Sequence, residues 1–349
     1  MEVCDLCLVE HFWLEIIRGN VSSLLSQALP AFPCLYLGYQ DYYVIQKIYP
    51  GGIRLKKESR KIQSARHIEQ HENIFACPIC QKDMRVTGLK SIRCEKGHTF
   101  DFAKQGYVNF LNQPIHTKYG KDFFEARKIL LSESGFYTPL QHALSEIVAD
   151  ITLGKEEEIS ILDTGCGEGT YLHHITNHLR RSCAKKVVGV GVDISKEGII
   201  AAARNYDQHI WTVADLANMP FHDKQFTMIL SIFSPSNYEE FLRLLKQDGV
   251  VIKVVPEKNY LKELRTYLFH SDKKREYSNE EILTRFREHF PHGESKRITY
   301  TKTLEQPLLS PFFAMSPLAW SMGEEKRKSF IEQEEVSMTV DVCILVGRR

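Results

Sequence analysis

The stretch Ile159-Ser160-Ile161-Leu162-Asp163-Thr164-Gly165-Cys166-Gly167-Glu168-Gly169-Thr170 is an apolar run that breaks into a glycine-rich turn and then a helix-forming segment. A buried strand, a turn whose glycines let the backbone approach a ligand, and a helix N-terminus that points N–H groups at it make a nucleotide-type site. A dinucleotide fingerprint would place its third glycine at position 170, which is Thr170; glycine stands at 169 instead.

The alternation continues downstream. Val187 to Val192 is a second apolar run and ends in Asp193; Trp211-Thr212-Val213-Ala214 ends in Asp215; Phe226 to Ile232 and Gly249 to Val255 follow as further buried strands. Between them Tyr171 to Arg180, Ser195 to Asn205 with Ser195 as cap, and Tyr238 to Leu245 with Leu242 and Leu245 inward read as helices. Strands alternating with helices argue an α/β, doubly wound, mostly parallel sheet. Lys296 to Thr303 and Ser337 to Val346 have strand composition without a crossover of the earlier kind.

The spacing Asp163-x-Gly165-x-Gly167-x-Gly169 resembles the Rossmann-like class I methyltransferases that use S-adenosylmethionine. In that class Asp193 is placed to accept both ribose hydroxyls, Asp215 to meet the adenine amino group, and the last two strands to form a terminal antiparallel pair. Any one of these acids alone reads better as a turn or cap residue. Acids at three successive strand ends, in this order, favour the cofactor.

At 349 residues the chain is long enough for two domains. Its nine cysteines are unevenly spaced and one lies inside the glycine turn, which argues against a secreted disulfide scaffold and for a reducing cytoplasm. The net charge is +1, but residues 73–130 hold ten Lys/Arg and five Asp/Glu, a local +5 that leaves −4 elsewhere. The base-rich part therefore reads as a separate module. Residues 1–72 are an extension of unknown role. Phe12 to Ile17 and Val21 to Leu29 suggest one amphipathic helix; Glu15, Arg18, Pro30 and Pro33 argue against a membrane span, and no export signal is recognisable. Cys4 and Cys7 read as free thiols, and Arg54 to Lys61 as a solvated linker.

Cys77-Pro78-Ile79-Cys80, thirteen residues, then Cys94-Glu95-Lys96-Gly97-His98 supply two close ligand pairs separated by enough chain for a hairpin. Three thiolates and one imidazole match a closed tetrahedral zinc site, structural because no position is left for an activated water. Such a module displays Lys82, Arg85, Lys90, Arg93, Lys96 and Lys104, which suits phosphate contact.

From about residue 74 onward the chain resembles the bacterial 23S rRNA guanine-N(1) methyltransferases: the knuckle, His98 to Leu111, Ala126-Arg127-Lys128, Ser134 to Leu140, and Leu162 to Gly169 carry the likeness. The resemblance implies a zinc-binding, RNA-contacting module at 73–115 and a methyltransferase domain at 116–349. It implies S-adenosylmethionine and structural zinc as cofactors, and a 23S rRNA stem-loop of domain II as the partner. No membrane is involved, and a homodimer is left open. Cofactor contacts carried over are Tyr137, Gly167 and Glu168, beside Asp163, Gly165, Gly169, Asp193 and Asp215; Tyr260 stands where the family carries histidine.

Guanine N(1) must lose a proton before it takes the methyl group, and the sequence names no base for it. After the fourth strand stands Phe233-Ser234-Pro235-Ser236-Asn237-Tyr238, where enzymes acting on exocyclic amines carry Asp or Asn, then Pro-Pro and an aromatic residue. Ser234, Pro235 and Ser236 are the substrate-positioning candidates. Two other functions compete: methylation of a small molecule or protein, with zinc only closing a lid, and a non-catalytic RNA-binding factor. The intact acids at 163, 193 and 215 argue against the latter.

Overall fold

The computed structural model describes residues 58–113, 115, 117–154, 158–183, 186–269, 277–320 and 322–349, and the backbone of Tyr43–Val44 and Lys56–Lys57, which pair antiparallel. The helix expected within 12–29 and the Cys4/Cys7 pair lie outside the described residues. Ser59–Arg349 is one compact unit.

The unit opens with helix α1 (Arg60–Gln70) and three short strands, β1 (Met84–Thr87), β2 (Ser91–Cys94) and β3 (Thr99–Asp101), which form an antiparallel sheet. Strand β4 (Tyr107–Asn109), helix α2 (Lys121–Lys128) and helix α3 (Thr138–Thr152) lead into the strand–helix alternation. That alternation runs β5 (Ile159–Thr164), α4 (Thr170–Cys183), β6 (Val187–Asp193), α5 (Lys196–Asn205), β7 (Ile210–Val213), β8 (Phe226–Ile232), α6 (Tyr238–Leu244) and β9 (Leu245–Pro256). Helices α7 (Lys262–Leu268) and α8 (Glu280–His289), strand β10 (Glu294–Glu305), helices α9 (Gln306–Met315) and α10 (Glu324–Ile331), and strand β11 (Glu335–Arg348) complete it.

The large sheet has the order β10-β11-β9-β8-β5-β6-β7-β4. From β9 to β4 every pairing is parallel; β11 runs antiparallel to β9, and β10 to β11. Strands in the middle, such as β8, are buried along their whole length because helices or the small sheet cover both faces. Helix α4 buries Leu172, Ile175 and Leu179, spaced by three and four residues, on one of those faces. The terminal antiparallel pair is present and longer than expected, twelve and fourteen residues.

Two local expectations are corrected. Ser195 precedes α5, but its side chain makes no cap; its hydroxyl donates to Tyr119 O at 3.4 Å instead. Helix α6 turns Tyr238, Phe241 and Leu244 inward, Leu242 is only half-buried, and Leu245 already belongs to β9.

The base-rich segment is not packed as a separate body. Strand β4 joins the edge of the large sheet, parallel to β7, and Phe75 bridges to Phe221 with Ala76 N donating to Pro220 O at 3.0 Å and His222 N to Ile74 O at 2.9 Å. Phe75, Ile92, Phe100, Phe102 and Phe110 share one continuous core with Leu162, Val190, Phe221 and Phe226 of the larger domain. The rings of Phe75 and Phe221 lie 5.4 Å apart, those of Phe100 and Phe110 4.9 Å. Helix α1, counted by sequence with the extension and the linker, belongs to the same unit: Ser64 Oγ donates to Gly106 O at 2.6 Å. Among the described residues no helix is long and apolar enough to cross a membrane.

Because the small sheet and the large one share a core, Phe75→Ala is expected to cost about 3–5 kcal/mol and to lower a single unfolding transition. Denaturant unfolding followed by circular dichroism checks this; two separated transitions would show that the small sheet folds by itself.

Candidate cofactor cleft and zinc site

The strand order reverses at β5: the chain goes from β5 to β6 and β7 on one side, then returns to place β8 on the other. The crevice beyond the carboxyl end of such a strand is where open α/β sheets hold ligands, and the glycine turn lies there. Its backbone conformation is forced by neighbours. Gly165 has φ +71°, and a Cβ there would fall 2.6 Å from Ser234 Cβ; Gly169 has φ +84°, and a Cβ would fall 2.3 Å from Trp211 Cη2. Gly165 N donates to Val192 O at 2.8 Å, and Ser234 Oγ donates to Thr164 O at 2.6 Å, so the turn is pinned to both flanking strand ends. Asp193 accepts from Gly167 N and Ser195 N, each at 2.8 Å.

Helix α2 covers the turn. Arg127 Nε donates to Glu168 Oε2 at 2.6 Å, the guanidinium lies 5.9 Å from the Tyr171 ring centre, and Phe124 lies over Gly167. Glu168 is fully buried and its Oε1 has no hydrogen-bond partner among the described residues. Burial pushes the Asp163 carboxyl up to about 8, opposed by Arg127 and reinforced by the charges of Glu168 and Asp193. Burial likewise raises Asp193. Three acidic side chains thus crowd one guanidinium; burial holds the Asp163 carboxyl in its protonated form, and a cationic ligand would favour its ionised form.

The donor set fits S-adenosylmethionine, which carries a sulfonium and an ammonium and would satisfy the orphaned oxygen. When bound it supplies an activated methyl group on sulfur. Tyr137 and Tyr260, 123 residues apart in sequence, meet with hydroxyls 2.6 Å apart, and Phe233 packs against both rings. Phe233 itself has φ +55°, a conformation bulky residues rarely adopt, immediately before the Ser234–Ser236 turn. Asp215 stands apart from this group: it is exposed beyond β7, and its Oδ1 accepts from Ala217 N at 2.9 Å.

The metal-ligand candidates converge. Single ligand atoms of Cys77, Cys80, Cys94 and His98 all lie within 4.8 Å of one another. Cys80 and Cys94 sulfurs are 3.7 Å apart, and His98 Nδ1 is 3.4 Å from the sulfurs of both Cys77 and Cys94. Zinc–sulfur bonds of about 2.3 Å and zinc–nitrogen bonds of about 2.0–2.1 Å at tetrahedral angles require edges of about 3.8 and 3.6 Å, so the four donors fit the ion. The knuckle is also tied to the loop after β7: Asn218, three residues past Asp215, donates to Pro78 O at 3.0 Å.

Residues missed by sequence reasoning are Phe124, Arg127 as a cleft residue, Tyr171, Phe233 and Lys253. A basic residue on a helix reads as solvated surface, and although Ala126-Arg127-Lys128 belongs to the family likeness, nothing local gives Arg127 a role. Lys253 did carry a signal, a lone charge inside the apolar run of β9.

The zinc-ribbon family model described as "RlmA, N-terminal" matches residues 75–121, and a model described as "Methyltransferase domain" matches residues 161–249. A Bacillus subtilis (strain 168) protein, YxjB, provisionally named a 23S rRNA (guanine-N(1)-)-methyltransferase, is 44% identical over 278 residues, 79% of this chain and 98% of that one. The 23S rRNA (guanine(748)-N(1))-methyltransferase of Streptomyces fradiae is 30% identical over 274 residues, 76% of this chain and 95% of that one. The chain belongs to the 23S rRNA (guanine-N(1))-methyltransferase family. As a member of that family it combines an S-adenosylmethionine-dependent methyltransferase fold with a zinc ribbon.

Two outcomes are expected. Asp163 is neutral near pH 7 in the free protein, and a cationic cofactor favours its ionised form. Binding should therefore release up to about one proton, and affinity should rise with pH until it passes about 8. Calorimetry in buffers of different ionisation enthalpy measures this, and Asp163→Asn should abolish it. Removing zinc with a chelator should weaken S-adenosylmethionine binding by about tenfold, because Asn218 loses the fixed Pro78 carbonyl that holds the loop of Asp215. Equal affinity with and without metal would show that the two sites are independent.

Proposed function

We propose that this family member transfers the methyl group of S-adenosylmethionine to N(1) of a guanine in a domain II stem-loop of 23S rRNA, in the cytoplasm. The observation that carries the reading is the over-acidic cleft at Asp163, Glu168 and Asp193, which asks for a cationic methyl donor, fused by one core to a basic zinc ribbon. The cofactor lies against Gly165, Gly167 and Gly169, between Tyr137 and Tyr260 on one side and Asp193 and Asp215 on the other. Zinc is held by Cys77, Cys80, Cys94 and His98. Ser234, Pro235 and Ser236 position the guanine.

On the ribbon, Lys82, Lys90, Arg93, Lys96 and Lys104 all stand toward solvent, whereas Arg85, also exposed, is tied to Glu72 at 2.7 Å. Accessible cations of this kind suit a phosphate backbone and contribute a salt-dependent affinity. The extension 1–72 has no part in this reading beyond α1.

Incubation with S-adenosylmethionine and a domain II transcript should yield N(1)-methylguanosine, seen as a primer-extension stop because the methyl blocks the pairing edge. Changing Lys90, Arg93 and Lys96 to alanine should weaken RNA binding and flatten its log–log salt slope by up to about 3, roughly 0.9 per lost phosphate contact. No stop at any guanine would sink the substrate assignment. An unchanged slope would move the RNA surface to the stretch from Lys118 to Lys128.

A further inference from the structure

Lys253 sits in the middle of β9, between Ile252 and Val254, in register with Ser231 of β8. It is only 4% exposed. Its Nζ lies 2.8 Å from Ser236 Oγ, 2.9 Å from Ser234 O and 3.3 Å from Ser231 Oγ, and no carboxylate pairs with it among the described residues. A buried ammonium without a counter-charge is costly, and an aliphatic side chain would fill the same place in an otherwise apolar strand. The half-buried Ser236 reaches from this amine to the surface of the turn.

We propose that Lys253 is the final acceptor of the guanine N(1) proton, reached through the hydroxyl of Ser236. This rests on the reading of the Ser234–Ser236 turn as the guanine site. Lys253 does not touch the base, so it is a relay and positioning residue, and Ser236 is the group in contact.

In the step, N(1) gives its proton to Ser236 Oγ while that hydroxyl passes its own to the neutral amine of Lys253. The N(1) electron pair forms the bond to the methyl carbon, and the carbon–sulfur pair stays on sulfur. The products are N(1)-methylguanine, S-adenosylhomocysteine and an ammonium, which returns its proton to water. The surroundings suit a neutral amine. Serines face it from β8 and its turn, Leu345 is its partner on β11, and the nearest titrating group on α6 is Tyr238, two residues past Ser236, whose phenol burial pushes up. Burial alone lowers the amine to about 8, near the pH at which a base works best.

Single-turnover methylation of the domain II transcript, at saturating S-adenosylmethionine and from about pH 6 to about pH 10, tests the relay. The unmodified protein should gain rate with pH and level off above about 8, because only the neutral amine accepts a proton. Lys253→Arg keeps the charge and the donors but stays protonated. It should lose at least about 100-fold in rate and lose the inflection, with RNA and cofactor affinities within about threefold. A rate within about threefold of the parent, or a retained inflection, would overturn the proposal, since an always-protonated guanidinium cannot accept the proton. Ser236→Ala breaks the same transfer with Lys253 in place, and decides alone if the arginine variant does not fold: loss of the inflection supports the relay, its persistence refutes it. If the unmodified protein makes no N(1)-methylguanosine, the substrate reading fails and the relay falls with it; a failure confined to the variants leaves that reading standing.

Discussion

The parallel pairing of β5 with β6 on one side and β8 on the other is the constraint from which the rest follows. Parallel strands all present their carboxyl ends at one rim, and the reversal of strand order at β5 opens a crevice there that no helix crossover spans. Gly165 must bend sharply to leave β5 because Ser234, arriving at the end of β8, occupies the space a side chain would need. The same close approach lets Ser234 Oγ donate to Thr164 O. The glycine turn and the Ser234 turn are therefore one mechanical unit.

Electrostatics then decide what the crevice holds. Arg127 is bonded to Glu168 alone, and burial with the charges of Glu168 and Asp193 pushes the Asp163 carboxyl up, so ionising the whole group calls for a further cation. The arginine arrives on α2, outside the sheet, so the helix that closes the cleft also sets its charge. Glu168 keeps one buried oxygen without a partner among the described residues, which is costly unless a ligand supplies the donor.

The zinc ribbon is also a structural part of the larger domain. Its aromatic residues continue the core on one face of the sheet, β4 completes the sheet edge just after it, and its knuckle carbonyl at Pro78 holds Asn218 beside the loop of Asp215. A metal that fixes the knuckle thereby fixes the Pro78 carbonyl to which the loop after β7 is tied. Charge composition had suggested two bodies, because basic residues concentrate in the ribbon; packing makes one, because charge lies on the outer surface while Phe75, Phe100 and Phe110 face inward.

By itself the sequence determined the glycine turn, the four metal ligands and the alternation that yields a parallel sheet. These are local signals: glycines at the positions where φ turns positive, ligand pairs with gaps of two and three residues, and apolar runs long enough to be buried on both sides. The tertiary structure alone decided the Arg127–Glu168 pair, the meeting of Tyr137 with Tyr260 across 123 residues, and the serine cage around Lys253. Each of these joins groups from separate elements, so it depends on which strands become neighbours and which helix lies over the turn. Strand order and the burial it creates are properties of the whole chain, and they placed a surface-like arginine against the glycine turn and a misplaced-looking lysine beside the Ser234–Ser236 turn.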